Sequence, residues 1–229
     1  MKIIILAAGI GSRLGNPAPK PLTVLQNGKS IMEMQTAHLS KYFNPDNIMV
    51  VVGFKKDLIM ESFPELAYVY NTFFDTTNTS KSLLHALKKN KNQKVLWING
   101  DVVFDENLLS VLKPYIKKKQ SFVVVNTAKV GEEEVKYTLK DGYINKLSKS
   151  VQNALGEAVG INFIAKKDIK TLIKWLEKCE DQDYFERGIE MAIENDGLKI
   201  VPVDISQFNC VEIDFQEDLD NANSLFHTK

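Results

Sequence analysis

Over its first hundred residues the sequence alternates short β-branched runs with helix-spaced segments. That alternation dictates parallel β–α–β units. KIIIL at 2–6 is too short for a helix and breaks into Ala-Ala-Gly, so it reads as a buried strand feeding a loop. Residues 30–43 have helical spacing with Ser30 as an N-cap, and NIMVVVG at 47–53 is a second strand. KKDLIMESF at 55–63 reads as a helix and LAYVYN at 66–71 as a third strand. A helix follows over 79–90, capped by Thr79 or Asn78, and KVLWING at 94–100 is a fourth strand closing on Gly100-Asp101.

The second half changes character. Strand-like runs occupy 121–130, 134–140, 143–149 and 156–165, and Asp141-Gly142 is a strong hairpin signal. Helical patterns return at 167–179 and 184–195, then strands at 198–204 and 209–214 and a closing helix at 215–226. There is no internal repeat, low-complexity linker or proline-rich break. The expectation is one α/β domain over 1–229, built on a mixed sheet with a small antiparallel insertion.

Charge narrows the partners. Positive and negative side chains balance at 29 each, without the basic excess of a nucleic-acid binder. No window is apolar for long enough to span a membrane, so neither nucleic acid nor membrane is expected as a partner. Ile3 to Ile10 is a short apolar stretch interrupted by glycine, and Arg13 and Lys20 stand where a signal peptide needs its cleavage site. Cys179 and Cys210 show no CxxC spacing, which fits a reducing cytoplasm and no zinc site.

The loop after the first strand carries the chemistry. Gly9 and Gly11 begin a G-x-G, but Leu14 stands where a dinucleotide fingerprint needs its third glycine. The G-x-x-x-x-G-K-[ST] pattern is absent as well. What remains is two glycines, Arg13, and a lysine between Pro19 and Pro21. Glycines let backbone N–H groups approach phosphate oxygens. Arg13 can grip phosphate bidentately, Lys20 supplies a point charge, and the prolines stiffen the segment that aims it. The plainer reading is a tight strand-to-loop turn with solvated cations.

LAAGIGSRLG followed by PKPL resembles the N-terminal signature of the nucleotidyltransferases that include the sugar-phosphate nucleotidylyltransferases. YNTFFDTTNTSKSL at 70–83, INGDVVF at 98–104 and VEIDFQEDLDNA at 211–222 resemble further stretches of that family in the same order. The nearest resemblance is to small CTP-dependent cytidylyltransferases acting on phosphocholine or phosphoglutamine. It implies a Rossmann-like mixed β-sheet flanked by helices, of the nucleotide-diphospho-sugar transferase type. Residues 1–120 would mainly bind nucleotide and 121–229 mainly the acceptor.

The implied reaction joins a phosphomonoester to the α-phosphorus of a nucleoside triphosphate. A phosphomonoester has a second pKa of about 6, so it is already a nucleophilic dianion at neutral pH. The task is electrostatic, and it calls for carboxylate-held Mg²⁺ together with arginine and lysine. The resemblance makes Asp101 and Asp214 the Mg²⁺ ligands, with Arg13 and Lys20 completing the catalytic set. As isolated residues, Asp101 could equally be a strand-end turn residue and Asp214 a helix cap. Nucleotide contacts are expected from Leu6, Ala7, Ala8, Gly9, Gly11, Ser12, Arg13, Lys20, Gly100 and Asp101. Asn78, Thr79, Ser80 and Ser82 either approach the base or simply cap a helix. Thr79 departs from the asparagine often found there in the family.

The acceptor candidates are Lys146, Lys149, Glu157, Tyr184 and Arg187. A choline site wants aromatic rings and negative charge, whereas a phosphoamino acid also carries a carboxylate that wants a cation. Arg187 could instead be a solvated helix residue. The expected partners are CTP and a small phosphorylated acceptor, for a cytoplasmic monomer or homodimer. A capsule or surface-polysaccharide role is implied by the resemblance. Two other readings stay open: a sugar-1-phosphate nucleotidyltransferase using another base, and a non-catalytic nucleotide sensor.

Overall fold

The computed structural model describes residues 1–15, 17–128, 130–131 and 133–227, without the side chain of Ser12. Its first half runs β1 (Lys2–Ala7), α1 (Ile31–Tyr42), β2 (Ile48–Val52), α2 (Lys56–Ser62), β3 (Ala67–Tyr70), α3 (Thr79–Lys89), β4 (Val95–Asn99), β5 (Val102–Phe104) and α4 (Leu108–Lys118). The second half runs β6 (Phe122–Asn126), β7 (Lys136–Lys140), β8 (Tyr143–Ser148), β9 (Gly156–Ile164), α5 (Ile169–Leu176), α6 (Phe185–Asp196), β10 (Val201–Asp204), β11 (Cys210–Glu212) and α7 (Gln216–Phe226).

Among the described residues, nine strands form one mixed sheet, seven of them in the order β10-β6-β9-β4-β1-β2-β3 with β7 and β8 off this path. β4, β1, β2 and β3 run parallel, as the alternation predicts, while β9 runs antiparallel between β4 and β6. The β7–β8 hairpin hangs from the start of β9, pairing Tyr137 with Gly156. Asp141 and Gly142 both adopt positive φ, at 52° and 79°, the geometry a two-residue hairpin turn requires.

The isoleucine run of β1 shows why the sheet is covered on both faces. Ile4 and Leu6 pack on one side with residues of α3, α5 and α6. Ile3 and Ile5 pack on the other with α1, α2 and α4. The period-two alternation thus divides one apolar run between two cores, as in buried parallel strands. Two elements have no counterpart in the sequence expectations. β5 is a three-residue strand that pairs antiparallel with β11, and α4 carries Pro114 inside it. A proline within a helix removes a hydrogen bond and hides the helical pattern.

Candidate functional site

The cleft opens at the carboxyl ends of β1 and β4, where ligands bind in open α/β sheets. Three segments distant in sequence meet there. The loop after β1 turns at Gly11, with φ +63°, where an added Cβ would stand 3.1 Å from Cβ of Lys20. Lys20 starts a single turn, Lys20–Leu22, preceded by Pro19. Gly100 then lets the end of β4 close on this loop. A Cβ at Gly100 would meet the Leu6 carbonyl oxygen at 2.7 Å and Pro21 Cγ at 3.0 Å. The result places Asp101 beside Lys20.

Lys20 Nζ donates to Asp101 Oδ2 at 2.9 Å and to Asp214 Oδ1 at 2.5 Å. Arg13 donates to Asp214 Oδ2 at 3.3 Å, and its guanidinium lies 5.5 Å from the centroid of Phe215. Burial of Lys20 favours its neutral amine. The field of Asp101 and the hydrogen bonds and charge of Asp214 outweigh that and hold the ammonium above the ordinary lysine range. Asp214 does not cap α7. Asp218 Oδ2 accepts from the backbone N–H groups of Asp214 at 3.0 Å and Phe215 at 2.8 Å, so the carboxylate of Asp214 turns to the cations instead.

Asp101 Oδ1 is buried and has no hydrogen-bond partner. Two aspartates with one unsatisfied oxygen form a hard-oxygen donor set, which suits a magnesium-type ion that draws its remaining ligands from water and phosphate. Among the described residues, no group of three or more His, Cys, Asp or Glu is arranged to hold a metal. The fit therefore rests on these two carboxylates.

The cleft has a volume of about 300 Å³. Leu6, Gly9, Gly11, Arg13, Lys20, Asn78, Thr79, Asp101 and Asp214 line it, as do Lys149 and Tyr184 from the acceptor set. Ala7 and Gly100 line a smaller adjoining pocket. Ala8 is buried, and its carbonyl accepts from Phe54 N at 3.1 Å. Asn78 is the N-cap of α3 as well as a lining residue. Ser80 and Ser82 are buried outside the cleft lining, Ser82 Oγ accepting from Asn71 at 3.1 Å. The Ser12 side chain lies outside the described part of the structure.

Three acceptor candidates, Lys146, Arg187 and Glu157, do not line the cleft. Lys146 pairs with Glu194 and Arg187 with Glu190, and all four line a separate surface groove. Lys146 on β8 reaches a carboxylate of the α6 helix packed against it, whereas Arg187 meets Glu190 one turn further along α6 itself. Glu157 lies in a neighbouring pocket, accepting from Gly131 N at 2.7 Å.

The sequence reading missed the acidic part of the cleft lining, formed by Glu133, Glu134, Glu186 and Glu212. Glu186 Oε2 is buried without a partner, and burial pushes this carboxyl up to about 7. Glu212 is raised well above the usual carboxylate range by burial, and further by the charges of Asp101, Glu134, Asp214 and Glu186. Asn99 donates to Glu212 at 3.5 Å. Sequence signals for both glutamates exist. Glu212 interrupts the apolar NCVEID run, and Glu186 sits between Phe185 and Ile189 on the face α6 buries.

Comparisons with known proteins bear on the family and the fold. A stretch of 104 residues is 36% identical to the bifunctional protein GlmU of Francisella tularensis subsp. novicida. That match takes in 44% of this chain and 22% of GlmU, so the chain matches about a fifth of the length of its curated relatives. The inositol-1-phosphate CTP transferase from T. maritima is similar in fold, with a TM-score of 0.78 and 18% identity over 98% of this chain and 94% of that one. CTP:phosphocholine cytidylyltransferase from Streptococcus pneumoniae has a TM-score of 0.74 and 20% identity, covering 99% of both chains. The model of the MobA-like NTP transferase domain matches residues 3–178, a span that contains the glycine loop, Lys20 and Asp101. On that match the chain belongs to the MobA-like NTP transferase family and is a nucleotidyltransferase domain.

Proposed function

We propose that this domain is a divalent-metal-dependent cytidylyltransferase that moves CMP from CTP to a small, cation-bearing phosphomonoester and releases pyrophosphate. The observation that carries the reading is the Lys20 ammonium between Asp101 and Asp214 in a cleft whose lining is otherwise rich in carboxylates. The acceptor phosphate, a dianion, attacks the α-phosphorus. A new P–O bond forms there, and the bond to the β-phosphate bridge oxygen breaks with its electrons leaving on pyrophosphate. Arg13 and Lys20 hold the triphosphate and meet the charge that builds on the leaving group. Asp101 and Asp214 are the residues that would hold Mg²⁺, which when bound neutralises phosphate charge. Asn78 and Thr79 stand where the base or ribose would lie.

Glu134, Glu186 and Glu212 favour an acceptor carrying an ammonium, which would pull their raised pKa values back toward the ionised form. Phosphoglutamine, giving CDP-glutamine, and phosphocholine both meet that requirement, and a plain sugar phosphate does not. Lys149, 5.2 Å from the ring centroid of Tyr184, suits the carboxylate of phosphoglutamine and supports it as first choice. The cytidylyltransferase and CTP transferase relatives in fold support CTP as donor. A cytoplasmic supply of activated groups for a surface polysaccharide is the setting we infer.

The decisive test is an acceptor screen with CTP and Mg²⁺, read by mass spectrometry of CDP-linked products. A CDP adduct with phosphoglutamine or phosphocholine is expected. Turnover only with a sugar 1-phosphate and UTP or dTTP would overturn the reading.

A further inference from the structure

The balanced total charge conceals a separation of charge across the molecule. The carboxylate-rich cleft sits at the Asn99 end of β4. At the opposite end of that strand, Lys91, Lys94, Lys119, Lys166, Lys167 and Lys170 line one open surface depression. Val95 pairs with Ile164, so the beginning of β4 and the exit of β9 bring three lysine-rich runs together: 91–94, 117–119 and 166–170. The depression and the cleft are separated by about 17 Å of strand. Asp168, the one acidic residue within these runs, turns inward and accepts from Ser121 Oγ at 2.7 Å. Among the described residues, none of the six ammonium groups has a carboxylate partner.

We infer that this lysine pole docks the domain reversibly on an anionic lipid bilayer, leaving the cleft facing away from the surface. The chemistry of the patch selects the partner. Both arginines of the chain, Arg13 and Arg187, lie elsewhere, so the patch lacks the bidentate fork that reads nucleic-acid phosphates and bases. Asn92 and Ala165 complete the lining, and no aromatic ring is available for base stacking. Flexible lysine point charges on an open surface suit a diffuse layer of lipid phosphates.

The test is co-sedimentation with vesicles of phosphatidylglycerol in phosphatidylcholine, against phosphatidylcholine alone, at low and high salt. Retention on the anionic vesicles at low salt is expected, with loss at high salt. Each lysine near an anionic surface contributes about fivefold in partitioning. The combined variant Lys119→Gln, Lys166→Gln, Lys167→Gln, Lys170→Gln should therefore partition roughly two to three orders of magnitude more weakly. Thermal unfolding of that variant confirms that it remains folded. Equal retention on neutral vesicles, unchanged partitioning of the variant, or stronger binding to duplex DNA than to the vesicles would overturn the inference.

Discussion

At the residue scale, Lys20 does what no neighbour can replace. Its side chain is only 10% exposed and neutralises two carboxylates at once. Lys20→Ala leaves Asp101 and Asp214 facing each other and, in the proposed reaction, would remove the charge that meets the leaving group. Turnover should fall at least about 100-fold, with the circular dichroism spectrum unchanged. Lys20→Arg should not restore it, because a planar fork does not fit the place of a compact ammonium. A kcat within threefold of the parent for either variant would remove Lys20 from the mechanism. Glu186 illustrates the opposite balance. Its carboxyl titrates near 4.5 when unfolded and at about 7 when folded, because burial disfavours its charge. Below 4.5 it is neutral in both states and costs nothing; stability is lost as pH rises through that window. Glu186→Gln should therefore raise stability by about 1–3 kcal/mol at pH 8 and leave it almost unchanged at pH 4, as read by urea unfolding. The same substitution should raise KM for a cationic acceptor about tenfold or more, since the cleft lining loses a carboxylate. A variant equally stable at both pH values relative to the parent would show that the carboxyl is not desolvated.

At the scale of elements, β9 shapes the cleft through one residue. Between Asn162 opposite Val123 and Ala158 opposite Val125, β9 spends four residues against two, and the bulge centres on Gly160 at φ +72°. A Cβ there would stand 2.8 Å from Asn99 Nδ2, the group that reaches Glu212. Gly160→Ala should destabilise by about 2 kcal/mol and weaken substrate binding together, since the strain falls on the cleft floor. Ser30→Ala supplies the contrast. It removes the capping box in which Ser30 Oγ accepts from Glu33 N at 3.2 Å, so stability should drop by about 1 kcal/mol with kcat and KM unchanged. Parallel losses in both variants would mean that the cleft responds to any destabilisation. The difference between these elements also explains what was legible in the sequence. Period-two runs and cap residues are local signals, so β1 to β4, α1 and the Asp141-Gly142 hairpin could be read directly. The facing of Lys146 depends on where β8 lies against α6, a tertiary fact with no local signature, whereas Arg187 pairs with Glu190 at i,i+3 within α6. Asp214 was ambiguous on both counts: Asp218, four residues on, takes the capping role, and the meeting with Lys20 rests on the tertiary pairing of β11 with β5.

At the scale of the molecule, the candidate site joins residues 20, 101 and 214, each delivered by a different part of the chain. Asp214 lies beyond the 3–178 span of the family match and arrives only because β11 pairs with β5 and Ile213 N bonds to the Asp101 carbonyl at 3.0 Å. A ligand that engages all three residues must be released before the domain can unfold globally. Such a ligand, at a concentration of about 100 times its Kd, stabilises by about 2.7 kcal/mol. For a domain of this length, Tm should rise by roughly 5–10 °C when CTP and Mg²⁺ are added together. CTP without metal should give a smaller shift. Asp214→Asn should abolish the metal-dependent part of the rise and retain the rest, because in the proposed reaction Arg13 and Lys20 would still meet the triphosphate. Scanning calorimetry with each of the four nucleotides separates the possibilities. A larger shift with UTP than with CTP argues against cytidylyl transfer, and a metal increment that survives in Asp214→Asn argues against Asp214 as a ligand.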